Sequence, residues 1–172
     1  MVKKFSRLMI LLWIMLAISG CNILKSVPLA PTNELQSTEN TPPVYQEYKC
    51  VRPDQRFQTA TVVRVIDGDS IEVRLDGKLF EVRYIGVNTP EYYSKDRPAA
   101  IHATQANEAL LSDKEVFLFR DVSEIDKYNR LLRYVFTDDA FVNLELVKLG
   151  YAESRAYPPD ISCQDLFDKN VR

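Results

Sequence analysis

Val62-Val63-Arg64-Val65-Ile66-Asp67-Gly68-Asp69-Ser70-Ile71-Glu72-Val73-Arg74-Leu75-Asp76-Gly77-Lys78-Leu79-Phe80-Glu81-Val82 contains one dipeptide twice, Asp67-Gly68 and Asp76-Gly77, each between apolar runs. Asp and Gly tolerate positive φ, so Asp-Gly in this setting marks a tight hairpin turn. The turns separate three runs. Residues 58–66 are rich in Thr and Val, Ile71, Val73 and Leu75 alternate through 70–75, and 79–87 follows the second turn. The first half of the domain is expected to be a three-stranded meander.

Further along, residues 98–111 place Ala99, Ala103, Ala106 and Leu110 on one face at helical spacing, and Pro98 suits a first helical turn. Residues 115–121 read as a strand buried on both sides, and 131–137 as another. Val142, Leu146 and Leu149 align on a short helix over 141–149, stopped by Gly150. Ser162, with Asp165 three residues on, is expected to cap a short C-terminal helix. Periodicity alone gives an α+β, mostly antiparallel chain. Five strands with an inserted helix point to a mainly β fold, a small closed OB-like barrel with two to three helices.

The N-terminus has a different character. Lys3, Lys4 and Arg7 precede an unbroken apolar run over 8–18, then Ser19-Gly20-Cys21. This pattern reads as an export signal and is short for a membrane span; an ordinary signal peptide and a plain anchor are the alternatives. The ending Ile18-Ser19-Gly20-Cys21 resembles a bacterial lipobox. That resemblance implies cleavage before Cys21, lipidation of Cys21 and attachment to the outer face of a bacterial membrane, which more than one acyl chain makes stable. Residues 1–20 are then the signal. Residues 21–56, punctuated by Pro28, Pro31, Pro42 and Pro43, are a disordered tether with a reach of roughly 30–35 Å. Residues 57–172 are the folded domain.

Export bears on the cysteines. Of three, Cys21 is taken by the lipid, leaving Cys50 and Cys163. In an oxidising compartment these are expected to form a disulfide tying the domain's ends together, the alternative being two partly buried thiols. The net charge is −2, and removing Lys3, Lys4 and Arg7 leaves 19 basic against 24 acidic residues, or −5. That counts against binding nucleic acid through a general basic surface. It leaves room for an enzyme whose positive charge is gathered in its site.

Three stretches carry the chemistry: Asp67-Gly68-Asp69, Arg83 through Val87-Asn88-Thr89-Pro90-Glu91, and Asp126-Lys127-Tyr128-Asn129-Arg130. Together they offer carboxylates, a side-chain amide and two arginines, the inventory for holding a hard cation against a phosphodiester and attacking it with water. Pro90 forces Thr89 into an extended conformation, which fixes the direction of its carbonyl. Glu72 stands where an EF-hand loop requires Gly. His102, the only histidine, argues against His-based metal sites and triads. Tyr92 and Tyr93 read either as base-stacking residues or as part of a loop beyond the site.

With these motifs and their spacing, the chain resembles the staphylococcal nuclease (thermonuclease) family from about Thr59 to about Phe167. The resemblance implies an OB-type barrel that cleaves DNA and RNA using Ca²⁺ and leaves 3′-phosphates. It implies that Asp69 and the Thr89 carbonyl are metal ligands and that Glu91 is the general base or water-positioning group. It implies that Arg83 and Arg130 contact phosphate, with Tyr128 beside it and Tyr157 near the nucleotide. Two departures stand out. Asn88 occupies a position where the family usually has aspartate; it can supply an oxygen but no charge, so the ion is expected to bind more weakly. The final helix is also shorter than the family's. The expected function is an exported, membrane-anchored, monomeric Ca²⁺-dependent nuclease. The alternative is a non-catalytic nucleic-acid-binding OB lipoprotein with a decayed metal site.

Overall fold

The computed structural model describes Val44, residues 47–51, 57–111 and 115–172. The signal segment and Cys21 lie outside the described residues. The meander forms as the Asp-Gly turns require. β1 (Phe57–Asp67), β2 (Ser70–Leu75) and β3 (Lys78–Tyr84) pair antiparallel, with Asp67 opposite Ser70 and Leu75 opposite Lys78. The third run breaks earlier than expected. The chain turns at Ile85-Gly86, and β4 (Val87–Asn88) pairs antiparallel with β7 (Glu153–Ser154) outside the barrel.

α1 (Arg97–Leu110) follows, then β5 (Glu115–Phe119) and β6 (Leu131–Phe136). β5 pairs antiparallel with β1 and β6, and β6 runs parallel to β3. The result is a closed five-stranded barrel in the order β1-β2-β3-β6-β5, mainly β and of the OB type. α2 (Val142–Lys148) and α3 (Gln164–Asp168) complete the element order. Ile71, Val73, Val82, Val116, Leu118 and Val135 belong to the buried core. β5 is buried on both faces over Val116–Phe119 because it lines the barrel and is also covered from outside. Phe136 stacks on Phe141 at 4.2 Å, and Phe141 in turn meets Tyr134 and Phe167.

The expected face of α1 does turn inward, with Ala103 fully buried and Ala106 and Leu110 packed against the core, and Ala100 and Asn107 widen it. Two expectations need correction. Ser162 does not cap α3. The helix starts behind Cys163 with no side-chain cap, and the Ser162 hydroxyl and backbone N–H instead donate to the Asp121 carboxylate at 2.8 and 2.9 Å. The folded region also begins before residue 57. The Tyr48 ring packs against Phe136 and Phe141, and Val51 is 2% exposed. Cys50 and Cys163 are joined by a disulfide spanning 113 residues, so the segment before β1 is tied to the start of α3.

Candidate active site

The site is built on the first of the two turns. Gly68 and Asp69 occupy the tip between the paired residues Asp67 and Ser70. The Asp69 N–H donates to Asp67 Oδ1 at 3.1 Å, an Asx-type contact that fixes the turn from within. Gly68 does not adopt positive φ. Its glycine is a matter of space, because a Cβ there would lie 2.7 Å from Ala103 Cβ on α1 and 2.7 Å from Thr89 Oγ1. The buried Asn107 holds the same turn from the helix side: its amide donates to the Asp67 carbonyl at 2.9 Å and its oxygen accepts from the Tyr84 hydroxyl at 2.8 Å.

Asp69 is thereby fixed at 5% exposure. Its Oδ2 accepts the Thr89 N–H at 2.7 Å, the Thr89 hydroxyl at 3.0 Å and faces Arg83 Nη2 at 3.2 Å. Among the described residues Oδ1 accepts the Ser70 hydroxyl alone, at 3.4 Å. Burial pushes Asp69 up to about 6; Arg83 and the Thr89 donors pull the other way, and neighbouring Asp67 adds to the rise. Burial disfavours the charged form of the carboxylate, and its Oδ1 carries one long hydrogen bond against three contacts at Oδ2.

Arg83 sits across the meander from Ser70. Its Nη1 donates to the carbonyls of Tyr84 and Val87 at 2.8 and 3.0 Å, and its Nη2 to Asn88 Oδ1 at 3.2 Å. The Asn88 amide reaches the Thr89 carbonyl at 3.5 Å, and the Tyr157 hydroxyl approaches Asn88 Oδ1 at 3.5 Å. Asp69, Arg83, Asn88, Thr89 and Tyr157 thus form one connected cluster. Glu91 follows the Thr89-Pro90 bend and is exposed; its backbone carbonyl accepts the Ser94 N–H at 2.9 Å.

Arg130 arrives on the separate 126–130 loop. The Asp126 carboxylate organises that loop by accepting the Tyr128 and Arg130 N–H groups at 2.9 and 3.0 Å and the Arg130 guanidinium at 2.7–2.8 Å. Burial opposes ionisation of Asp126, but these contacts outweigh it and hold its carboxyl below the usual range. Lys127 and Arg130 both lie over the exposed Tyr128 ring, at 4.9 and 5.5 Å. Leu131, the next residue, pairs with Val82, so the loop delivers Arg130 beside the strand that carries Arg83.

Among the described residues no three His, Cys, Asp or Glu side chains group around a metal position. The donors at the cluster are all oxygens: the Asp69 carboxylate, the Asn88 amide and the Thr89 carbonyl. Such a set suits a hard cation that completes roughly 6–8 ligands with water or substrate, and the weakly bonded Asp69 Oδ1 is the observation in favour of the fit. Sequence reasoning missed Asn107, Tyr84 and Asp126 as positioning groups. Asn107 stands four residues after Ala103, so an amide on the helix face turned inward was the available signal.

Residues 81–170 match the family described as staphylococcal nuclease homologue. The match takes in Arg83, Glu91 and Arg130 and begins after the Asp69 turn. The thermonuclease of Staphylococcus hyicus is 36% identical over 115 residues, covering 65% of this chain and 68% of that protein. The thermonuclease of Staphylococcus intermedius is 37% identical over 116 residues, covering 66% and 69%. Endonuclease YncB of Bacillus subtilis (strain 168) is 35% identical over 118 residues, covering 66% and 56%. With an OB-type barrel, a connected acid–arginine cluster and a matched stretch of more than half its length, the chain belongs to the staphylococcal nuclease family.

Proposed function

We propose that this protein is an exported, Ca²⁺-dependent nuclease that hydrolyses phosphodiester bonds of DNA and RNA with little sequence preference and leaves 3′-phosphates. The hydrolase assignment follows from family membership and from the thermonuclease and endonuclease names of the relatives. The observation that carries the site is the convergence of Thr89 and Arg83 on one buried carboxylate oxygen of Asp69. Asp69 Oδ1, by contrast, carries a single long hydrogen bond from the Ser70 hydroxyl, which a cation can displace.

In this reading Asp69, Asn88 Oδ1 and the Thr89 carbonyl hold the ion. An ion held there would supply Lewis-acid polarisation of the phosphoryl group and of a water. Glu91, exposed beyond the Pro90 bend, takes or aligns the proton of the attacking water. Arg83 and Arg130 stabilise charge growing on the phosphoryl oxygens. Both guanidiniums already have protein acceptors, Asp69 and Asn88 for Arg83 and Asp126 for Arg130. Substrate phosphate must therefore exchange with those acceptors or use the remaining N–H groups. Tyr128 and Tyr157 flank the nucleotide. A lipid on Cys21 holds the monomeric enzyme on the outer face of a bacterial membrane.

Digestion of plasmid and of RNA by the purified chain, first with Ca²⁺ and then with chelator, tests this reading. Chelator-sensitive cutting is expected. Binding without cutting identifies instead the nucleic-acid-binding module with a decayed site, for which the uncharged Asn88 is the favouring observation. Cutting that persists in chelator removes the calcium.

A further inference from the structure

Among the described residues the exposed aromatic side chains are all tyrosines: Tyr92, Tyr93, Tyr128, Tyr151 and Tyr157. Phe119, Phe136, Phe141 and Phe167 are fully buried. Tyr128 and Tyr157 belong to the proposed site. Tyr92 and Tyr93 directly follow Glu91 and have no role in the reading above. Tyr93 is 98% exposed, and among the described residues its ring pairs with that of Tyr92, 5.5 Å away in a T-shaped arrangement at 84°.

The pair is nevertheless organised. Arg97 lies over the Tyr92 ring at 4.4 Å and its guanidinium donates to the Tyr92 hydroxyl. The Ser94 N–H closes back on the Glu91 carbonyl at 2.9 Å, and the Asp96 N–H donates to the Ser94 hydroxyl at 3.2 Å. A ring standing in water on an ordered turn contributes nothing to the core. Tyr93 is also close to the chemistry, since the two residue steps from Glu91 span at most ~7 Å of chain.

We propose that Tyr93, steadied by Tyr92 and Arg97, is a base-stacking subsite that holds an unpaired strand beside Glu91. This proposal rests on the nucleic-acid reading of the neighbouring cluster and adds a binding residue to it. Every base has a π-face, so stacking on tyrosine is indifferent to sequence. Bases inside a duplex already stack on one another, and only an unpaired strand offers a free face. Arg97 adds a cation beside the rings that a flexible phosphate backbone can follow.

Fluorescence anisotropy at fixed salt tests the proposal without relying on cleavage. The probes are a labelled, phosphorothioate-linked single strand of about 12 nucleotides and a duplex of the same sequence. Tyr93→Ala is expected to weaken single-strand binding about 5- to 150-fold and to change duplex binding by less than about twofold. Tyr93→Phe, which keeps the ring, should stay within about twofold of the parent for both. Unchanged single-strand affinity in Tyr93→Ala overturns the subsite, as does equal weakening of both probes. A parent chain that binds neither probe overturns it too. A parent that shows the Tyr93-dependent single-strand binding yet cuts nothing keeps the subsite and sinks the nuclease. A parent that cuts while Tyr93→Ala binds normally does the reverse.

Discussion

Asp67-Gly68 and Asp76-Gly77 are the same dipeptide at the two ends of β2, and they need glycine for different reasons. Asp76 and Gly77 take φ values of +49° and +78°, and a Cβ on Gly77 would meet nothing within 4 Å. Glycine there answers to backbone conformation, with open space where a side chain would stand. Gly68 has no such φ, but it is wedged between Ala103 and Thr89. Around it, Asn107, Thr89 and Arg83 converge on Asp67 and Asp69. One turn is a hairpin and little else; the other is a docking point whose backbone geometry sets where a buried carboxylate sits.

The largest effect should come from filling the wedge. Gly68→Ala forces contacts with a helix Cβ and a threonine that already bonds Asp69. It is expected to cost about 3 kcal/mol in chemical denaturation, the top of the usual overpacking range. Plasmid cutting should also fall about 10²-fold or more, because the carboxylate is displaced. If Gly68→Ala melts and cuts like the parent, the distinction between the turns is wrong.

Next comes the charge of Asp69. Its pKa in the metal-free fold, about 6, lies above its ordinary value, so the native state holds the proton more tightly than the unfolded chain. Its contribution to stability is fully present below about pH 4 and is lost as pH rises through about 6. The stability of the metal-free parent relative to Asp69→Asn should therefore fall over that window, by at most about 3 kcal/mol. Denaturation of both proteins at several pH values checks this. A difference that grows with pH would reverse the sign.

Asn107→Ala should come next, at about 1–3 kcal/mol, because it removes the partner of the buried Tyr84 hydroxyl and of the Asp67 carbonyl. If the clamp matters to the site, cutting falls by more than the fraction unfolded explains. The smallest effect is expected at the second turn. Gly77→Ala should cost about 1 kcal/mol from its left-handed backbone, with cutting unchanged.

Much of the barrel could be read from the chain because its signals are local. Ile71, Val73 and Leu75 alternate, both Asp-Gly pairs turn, and Gly150 with positive φ stops α2. The difference between the two turns could not be read, since the residues that make Gly68 special lie on β4's exit and on α1. Ser162 misled for the same reason: its local pattern is that of a cap, yet Asp121, 41 residues earlier, takes its hydroxyl. Thr89 and Arg83, which meet Asp69, could be listed from their motifs. Their order of contact could not, nor that Asp126 would claim Arg130 within its own loop.

Calcium titration of the parent, Asp69→Ala and Gly77→Ala by calorimetry tests the central claim most directly. A cation site built on the buried turn predicts saturable binding in the parent and in Gly77→Ala, and none in Asp69→Ala that remains folded. Calcium uptake by folded Asp69→Ala with the affinity of the parent would contradict it.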